Sequence, residues 1–441
     1  MKIFVIGAGQ VGATIVQALH DEHDLTVFDV DEERLAALSQ RYDIATLEGN
    51  GASRRVLSAA GITEADLLIA CTSRDESNIV AAMISKACAP RTTTVVRTTN
   101  PEYLEVWREG QLDVDFIVSS EVETAHAIAR TVGVPAARQT DVFAEGQVQL
   151  VEFDVTAKTD EDILHVPLRD ARLPEDGRVA AIIRGDDVVI PRGDEELHHG
   201  DRIVVIGSPQ AAQSWSKLIA PGSGTVRDVV VFGAGRAGTA TARMLIEQGI
   251  GVRLIEADRD RARLVAHELP EARVYHATGF DPDFLERERI AEAEAAVFAM
   301  RDDMKNHFAA TLAKVHGARL TIAIVHDASS QEVFEYTGVD VTVNPRQITA
   351  EEIVRFAHDP RTQQVVMLEG DRFEVLDLTT RRDSEYVGLA FKDMPIRGAL
   401  IGAIVRDGNA VFPRGNDVLR PGDRVIVFTE SRRVQEVERA L

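Results

Sequence analysis

Short apolar runs alternate with amphipathic stretches along most of the chain. Residues 2–6 read as a strand and 10–20 as a helix, because Val11, Ile15 and Leu19 recur on one face at helical spacing. Strand 25–29, helix 32–41, strand 44–47 and helix 54–60 follow, with Gly49-Asn50-Gly51 as a break and Ser53 as the expected helix cap. Strand 66–70, helix 76–87 and strands 93–97 and 115–118 complete this stretch. The same order returns later. Strand 228–232, helix 236–248, strand 251–256, helix 259–269 and strand 273–276 precede strand 295–299, helix 303–314 and strands 320–325 and 341–343. Strands alternating with helices predict two parallel sheets with crossover helices.

A different pattern lies between and after these stretches. Ala181-Ile182-Ile183-Arg184, Val189-Ile190-Pro191-Arg192-Gly193 and Gly200-Asp201-Arg202 recur 222 positions later as Ala403-Ile404-Val405-Arg406, Val411-Phe412-Pro413-Arg414-Gly415 and Gly422-Asp423-Arg424. These are short strands joined by Gly and Asp turns, each set closed by a helix at 210–219 or 431–441. The run Pro-Gly-Ser-Gly-Thr at 221–225 is the clearest linker. The expected order is A-B-A-B, with domains at 1–135, 140–220, 226–358 and 360–441.

Each parallel unit passes from its first strand to its first helix through Gly-x-Gly-x-x-Gly. The glycines are Gly7, Gly9 and Gly12 and, 226 residues on, Gly233, Gly235 and Gly238. In this pattern the first glycine allows the tight turn, the second admits a pyrophosphate, and the third lets helix and strand pack closely. The helix start then offers its N–H groups to phosphate. Asp29 follows Gly12 by 17 residues at a strand end, where a carboxylate accepts from ribose hydroxyls and repels a 2′-phosphate. Asp31 is a nearby alternative for that acid, and it also reads as a surface helix cap. Thr72 and Ser73 border the carboxyl edge of the sheet. Glu256 follows Gly238 by 18 residues, but Met300-Arg301 takes the place of Thr72-Ser73 and no arginine aligns with Arg97. The fold class is therefore α/β, with two Rossmann-like parallel-sheet nucleotide-binding domains, each followed by a small α+β domain.

Composition narrows the function. The chain of 441 residues has a net charge of -22, from 71 acidic and 49 basic residues, which disfavours nucleic acid and anionic lipid as partners. Its two cysteines make no disulfide framework and suit a reducing compartment. No apolar run approaches the roughly 18–20 residues of a membrane span, and the chain opens in a strand, so a soluble protein without signal peptide is expected. His198-His199 reads as a solvated pair, not a metal site, and His126, His267, His307 and His326 are scattered. There is no Gly-x-Ser-x-Gly elbow, Walker A lysine or His-Glu-x-x-His. An NAD-dependent oxidoreductase remains the rival reading, supported by the first motif with Asp29. With no acid/base group in evidence, the residues point to binding without turnover and no catalytic residue is assigned.

The whole chain resembles the TrkA family, cytosolic regulatory subunits of Trk potassium uptake systems built from two tandem RCK units. The resemblance rests on Lys2–Gly12, Val27–Asp29, Glu48–Ser53, Thr72–Asn78, Pro101-Glu102-Tyr103 and the paired Pro-Arg-Gly and Gly-Asp-Arg turns. It implies binding of NAD(H), with ATP or ADP as competing or alternative ligands. It implies a homo-oligomeric ring of RCK units, dimer or tetramer, at the inner face of the membrane beneath a TrkH- or TrkG-type potassium-conducting subunit. By resemblance Gly7, Ala8, Gly9, Gln10, Val11, Gly12, Asp29, Thr72, Ser73 and Arg97 form the first nucleotide site. Gly233, Ala234, Gly235, Arg236, Ala237 and Glu256 form the core of the second.

Overall fold

The computed structural model describes residues 1–134, 136–185, 187–222, 226–290, 293–357, 362–368, 372–394 and 398–441. Positions 223–225 of the expected linker, and the domain limits set at 135, 358 and 360, lie outside the described residues. The chain divides into two compact units: one holds residues 1–125 together with the segment that opens at Asn344, and the other holds the remainder.

In the first unit, β1 (Lys2–Ile6), β2 (Asp24–Asp29), β3 (Ala45–Glu48), β4 (Leu67–Ala70), β5 (Thr93–Thr98) and β6 (Phe116–Ser119) form one parallel sheet. Its order is β3-β2-β1-β4-β5-β6. That order reverses direction between β1 and β4, the crevice where open α/β sheets bind ligands. The strands carry near-continuous apolar runs because helices cover both faces; Phe4, Val5, Leu68, Ile69, Val95 and Val96 are fully buried.

The second unit contains three sheets. β7 (Ala137–Phe143), β8 (Val148–Asp154), β9 (Gly177–Arg184), β10 (Asp187–Val189) and β11 (Arg202–Gly207) pair antiparallel in the order β10-β9-β11-β8-β7. β12 (Asp228–Phe232), β13 (Gly251–Glu256), β14 (Arg273–His276), β15 (Ala295–Phe298), β16 (Thr321–Ile324) and β17 (Val341–Val343) repeat the parallel order as β14-β13-β12-β15-β16-β17. β18 (Thr362–Leu368), β19 (Phe373–Thr379), β20 (Ala399–Arg406), β21 (Asn409–Val411) and β22 (Arg424–Glu430) repeat the antiparallel one.

Each small sheet is buried on both faces. Along β11, Val204 and Ile206 face a core shared with Val375, Ala403 and Phe428 of the other small sheet, while Ile203 and Val205 pack on Trp215 of helix Pro209–Ile219. The recurring Gly-Asp-Arg turn has a structural task. Arg184 grips Asp201 with Nε and Nη2, each 2.7 Å from a carboxylate oxygen, and Arg406 grips Asp423 in the same way at 2.9 and 2.6 Å. Both aspartates are almost wholly buried, and each also accepts a backbone N–H, from His198 and Arg420 respectively. Burial alone raises the Asp201 pKa. The Arg184 hydrogen bond, the His198 N–H and the nearby positive charge outweigh it and hold the carboxyl below its ordinary range.

Most expected elements recur with ends moved by a residue or two. Ser53 stands at the start of helix Arg54–Ala59, but its side chain makes no capping hydrogen bond. Instead Asn50 Oδ1 accepts from the Ala52 N–H at 2.9 Å and shapes the turn from within. Asp31 does cap helix Glu32–Ser39, accepting from the Glu33 and Arg34 N–H groups. Helices Pro101–Arg108, Ser120–Gly133 and Pro345–Val354, and strands β7, β8, β18 and β19, are additions to the sequence reading.

Candidate functional site

The first glycine motif builds a tight crossing of strand, turn and helix. Gly7 has φ +111°, a conformation that disfavours any side chain, and its N–H donates to the Phe28 carbonyl at 2.7 Å. A Cβ at Gly12 would lie 1.8 Å from the Gly7 carbonyl oxygen, so helix Gln10–Leu19 and the turn touch backbone to backbone. At Gly9 a Cβ would meet nothing within 4 Å. Gly9 is the helix N-cap in extended conformation, and no side chain caps the N–H groups that follow it.

These residues open onto a cleft of about 880 Å³ at the switch between β1 and β4. Gly7, Ala8, Gly9, Gln10, Val11, Asp29, Thr72, Ser73 and Arg97 all line it, so the structure brings together every first-site candidate except Gly12, which lies behind the turn. Five arginines line it as well: Arg34, Arg41, Arg74, Arg97 and Arg346. That is a marked local excess of cation in a chain of net charge -22 and suits a polyanionic ligand.

Asp29 is partly occupied by the fold itself. Its Oδ2 accepts from the Ala8 N–H at 2.6 Å and its Oδ1 from the Asp31 N–H at 3.0 Å. Each carboxylate oxygen has two lone pairs, so capacity remains for ribose hydroxyls. Asp29 thus ties the glycine turn to the end of β2 as well as facing the cleft.

At the far edge, Asn78 organises Thr72 and Arg97. Its Oδ1 accepts from the Thr72 N–H at 2.9 Å, and its Nδ2 donates to the carbonyls of Thr72 and Arg97, both at 3.0 Å. Arg97 in turn donates from Nη1 to the Thr72 carbonyl at 3.2 Å and from Nε to Ser120 Oγ at 3.1 Å. Asn78 is fully buried. Asp75, one helical turn earlier, accepts from the Thr99 and Asn100 N–H groups and the Thr98 hydroxyl. Cys71 lies beneath the site. Burial pushes its thiol up to about 12, with the Asp29 charge adding to the rise and Arg97 opposing it, so it stays protonated at neutral pH.

The second motif reproduces the glycine turn. Gly233 has φ +98°, its N–H donates to the Ile255 carbonyl at 2.8 Å, and a Cβ on Gly238 would lie 1.9 Å from the Gly233 carbonyl oxygen. Glu256 repeats the tie of Asp29, accepting from the Ala234 N–H and the Asp258 N–H, both at 2.8 Å. Gly235 is the N-cap and Arg236 and Ala237 open the helix Arg236–Glu247. Asn306 matches Asn78: it accepts from the Met300 N–H and donates to the Met300 and Ile324 carbonyls. Ile324 therefore stands where Arg97 stands in the first copy. The scaffold is the same, but the cation at its edge is replaced by an aliphatic side chain.

Two features of the site escaped the sequence reading. Asn78 sat inside the Thr72–Asn78 segment without a role, and its recurrence as Asn306, six residues after Met300, was the available signal. Arg346 carried no local signal at all.

Among the described residues, one group of metal-ligand type gathers elsewhere: His165, Glu196 and His198, with ligand atoms within 4.8 Å of one another. Arg184 Nη2 lies 2.6 Å from His198 Nδ1. Arginine only donates, so Nδ1 of His198 accepts this bond and is already engaged by a guanidinium.

Comparison with known proteins decides the family. The TrkA-N domain model matches residues 3–120 and 229–345, more than half of the chain, and the TrkA-C domain model matches 150–220 and 376–441. The chain belongs to the TrkA family. It is 32% identical over 441 residues to a Trk system potassium uptake protein TrkA homolog of Archaeoglobus fulgidus, covering 99% of both chains. It is 30% identical over 451 residues to the Trk system potassium uptake protein TrkA of Halomonas elongata, covering 100% of this chain and 98% of that one. Among solved structures, the GsuK RCK domain aligns with TM-score 0.59 at 17% identity, over 100% of this chain and 94% of that chain. The GsuK channel bound to NAD aligns with TM-score 0.59 at 16% identity, over 100% and 79%. These two establish the shared fold. Among the described residues, no helix is long and apolar enough to cross a membrane.

Proposed function

We propose that this chain is a nucleotide-sensing regulatory subunit of a Trk-type potassium uptake system, and not an enzyme. The observation that carries the reading is the first cleft, within a chain that matches TrkA relatives along its whole length. The cleft joins an unobstructed glycine turn at a helix start, a carboxylate at the end of β2, and five arginines. This chemistry fits the ribose and phosphates of NAD(H), with ATP or ADP as alternative ligands. Gly7–Gly12, Asp29, Thr72, Ser73 and Arg97 form that site in this proposal. Gly233–Ala237 and Glu256 form a second, weaker one, because Ile324 replaces the cation of Arg97.

We assign the sheets to four lobes with limits 1–135, 140–220, 226–358 and 360–441. The chain would work at the inner face of the cell membrane, held there by a TrkH- or TrkG-type potassium-conducting subunit. Homo-oligomerisation is supported by Met304, Phe308 and Val315. These share one face of helix Asp303–Val315 and are 75%, 58% and 79% exposed, which leaves an apolar stripe for a second copy to cover.

Regulation follows from population shift. A nucleotide changes the assembly only by binding one arrangement more tightly than another, and a coupling of about 1–3 kcal/mol alters affinity roughly 5–150-fold. The test is to titrate purified protein with NADH, NAD, ATP and ADP, following binding and NADH absorbance, and then to measure potassium flux with the membrane subunit in vesicles. Silent binding that changes flux supports the proposal. NADH consumption would instead favour an oxidoreductase, and absence of binding would favour a scaffold.

A further inference from the structure

The helix Pro345–Val354 follows β17 of the second parallel sheet in sequence, yet it belongs to the first compact unit. There it packs beside helix Gln10–Leu19 and against β6. Its second residue, Arg346, lines the first cleft. Asn344 caps the helix by accepting from the Arg346 and Gln347 N–H groups, and so fixes the turn from which Arg346 projects. One turn on, the Thr349 and Ser120 hydroxyls are hydrogen-bonded at 2.8 Å. Ser120 Oγ is also the acceptor for Arg97 Nε at 3.1 Å. Both hydroxyl residues are buried. The two arginines on this edge of the cleft are thereby linked: Arg97 rests on Ser120, Ser120 on Thr349, and Thr349 lies on the helix that Arg346 heads.

We propose that Arg346 and Arg97 together form an anion subsite for the phosphate beyond the one held at the Gly7–Gly12 turn. The first nucleotide site would then be completed by a residue from the second repeat. This rests on the nucleotide-binding reading of the first cleft. Arg97 and Thr72 lie at the β4–β5 edge, on the far side of the glycine turn from Asp29 and the ribose position. A guanidinium that lines the same cleft as Arg97, on a helix tied to Arg97 through Ser120 and Thr349, suits the part of a ligand that distinguishes AMP from ADP, ATP or a dinucleotide. Guanidinium groups hold phosphate oxygens through charge-assisted, often bidentate hydrogen bonds, so a subsite lined by two of them favours ligands with charge at that point.

The test is calorimetric titration of the full-length protein with AMP, ADP, ATP and NADH. It compares the wild type with Arg346→Ala and Arg346→Lys, and urea unfolding followed by tryptophan fluorescence checks each variant's folding. Arg346→Ala should weaken ADP, ATP and NADH binding by roughly tenfold or more while changing AMP by less than about twofold, and Arg346→Lys should restore part of the loss. Unchanged affinity for all ligands would overturn the subsite. An equal loss for AMP and ADP would also overturn it, since it would mark Arg346 as a packing residue. A wild-type protein that binds none of these ligands would defeat the underlying nucleotide-binding reading as well, and that outcome is told apart by the wild-type titration alone.

Discussion

The tie between Asp29 and the glycine turn makes a sharp prediction. Replacing Asp29 with Asn keeps the shape but leaves one carbonyl oxygen for two N–H donors, and turns an NH₂ group toward one of them. In the wild type both bonds, at 2.6 and 3.0 Å, go to a charged acceptor in a partly buried setting. A hydrogen bond to a charged group contributes about 1.5–3 kcal/mol. Losing one of the two should therefore cost about 2 kcal/mol locally, which is roughly 30-fold in an equilibrium constant. Amide hydrogen exchange reads this directly. Without any ligand, Asp29→Asn should reduce protection at Ala8 or Asp31 by roughly 30-fold, leave the small antiparallel sheets unchanged, and lower nucleotide affinity. If affinity fell while protection at both amides stayed at its wild-type level, Asp29 would be a ligand contact only, and the structural tie would be wrong. Glu256→Gln should show the same pattern at Ala234 and Asp258, where the two bonds recur.

Three further outcomes are expected. Gly12→Ala places a methyl group 1.8 Å from a backbone oxygen that has no side chain to move, so it should destabilise the first lobe by about 1–3 kcal/mol or more, read by urea unfolding followed at Trp107 in a Trp215→Phe background; wild-type stability would contradict the packing described. The Asp201 carboxyl is held below its ordinary range in the folded chain, so its stabilisation is present above a pH of about 4 and is lost as pH falls below that. The stability gap between wild type and Asp201→Asn should shrink through that acid range, and a constant gap would refute the Arg184 clamp. Native protein at neutral pH should lose its Cys88 thiol to a thiol reagent while Cys71, buried and protonated, reacts only after unfolding; equal labelling rates would show that the floor of the cleft is open.

Much of the parallel architecture was legible because its signals are local. A strand, a glycine turn, an amphipathic helix with Val11, Ile15 and Leu19 on one face, and an acid at the next strand end all lie within about thirty residues. The repeat confirmed them by recurring. The small sheets were harder. Val148 and Leu150 face one core while Val151 and Phe153 face another, so the apolar–polar alternation along β8 changes phase between Leu150 and Val151, and the period-two signal is broken. Helix Pro345–Val354 was hidden for another reason: its buried positions include Thr349 and Ala350 beside Ile353 and Val354, and apolar periodicity does not mark them. The role of Arg346 depends on a chain crossing that no local pattern encodes. The Gly-Asp-Arg turns were visible as a repeat, but that their aspartates receive Arg184 and Arg406 required the sheet.

The central claim is that the first cleft binds a nucleotide at the glycine turn. Gly9 offers a direct test, because it is the helix N-cap in extended conformation and its Cβ would enter open space. Aspartate is a favoured N-cap, so Gly9→Asp should fold at least as well as the wild type. It also puts a carboxylate where the phosphate would sit, a like-charge contact costing several kcal/mol. Calorimetric titration with NADH and ATP should show the first site lost, with affinity down by roughly 100-fold or more and unfolding stability preserved, while Gly235→Asp leaves that site intact. A Gly9→Asp protein that binds nucleotide as tightly as the wild type would contradict the account.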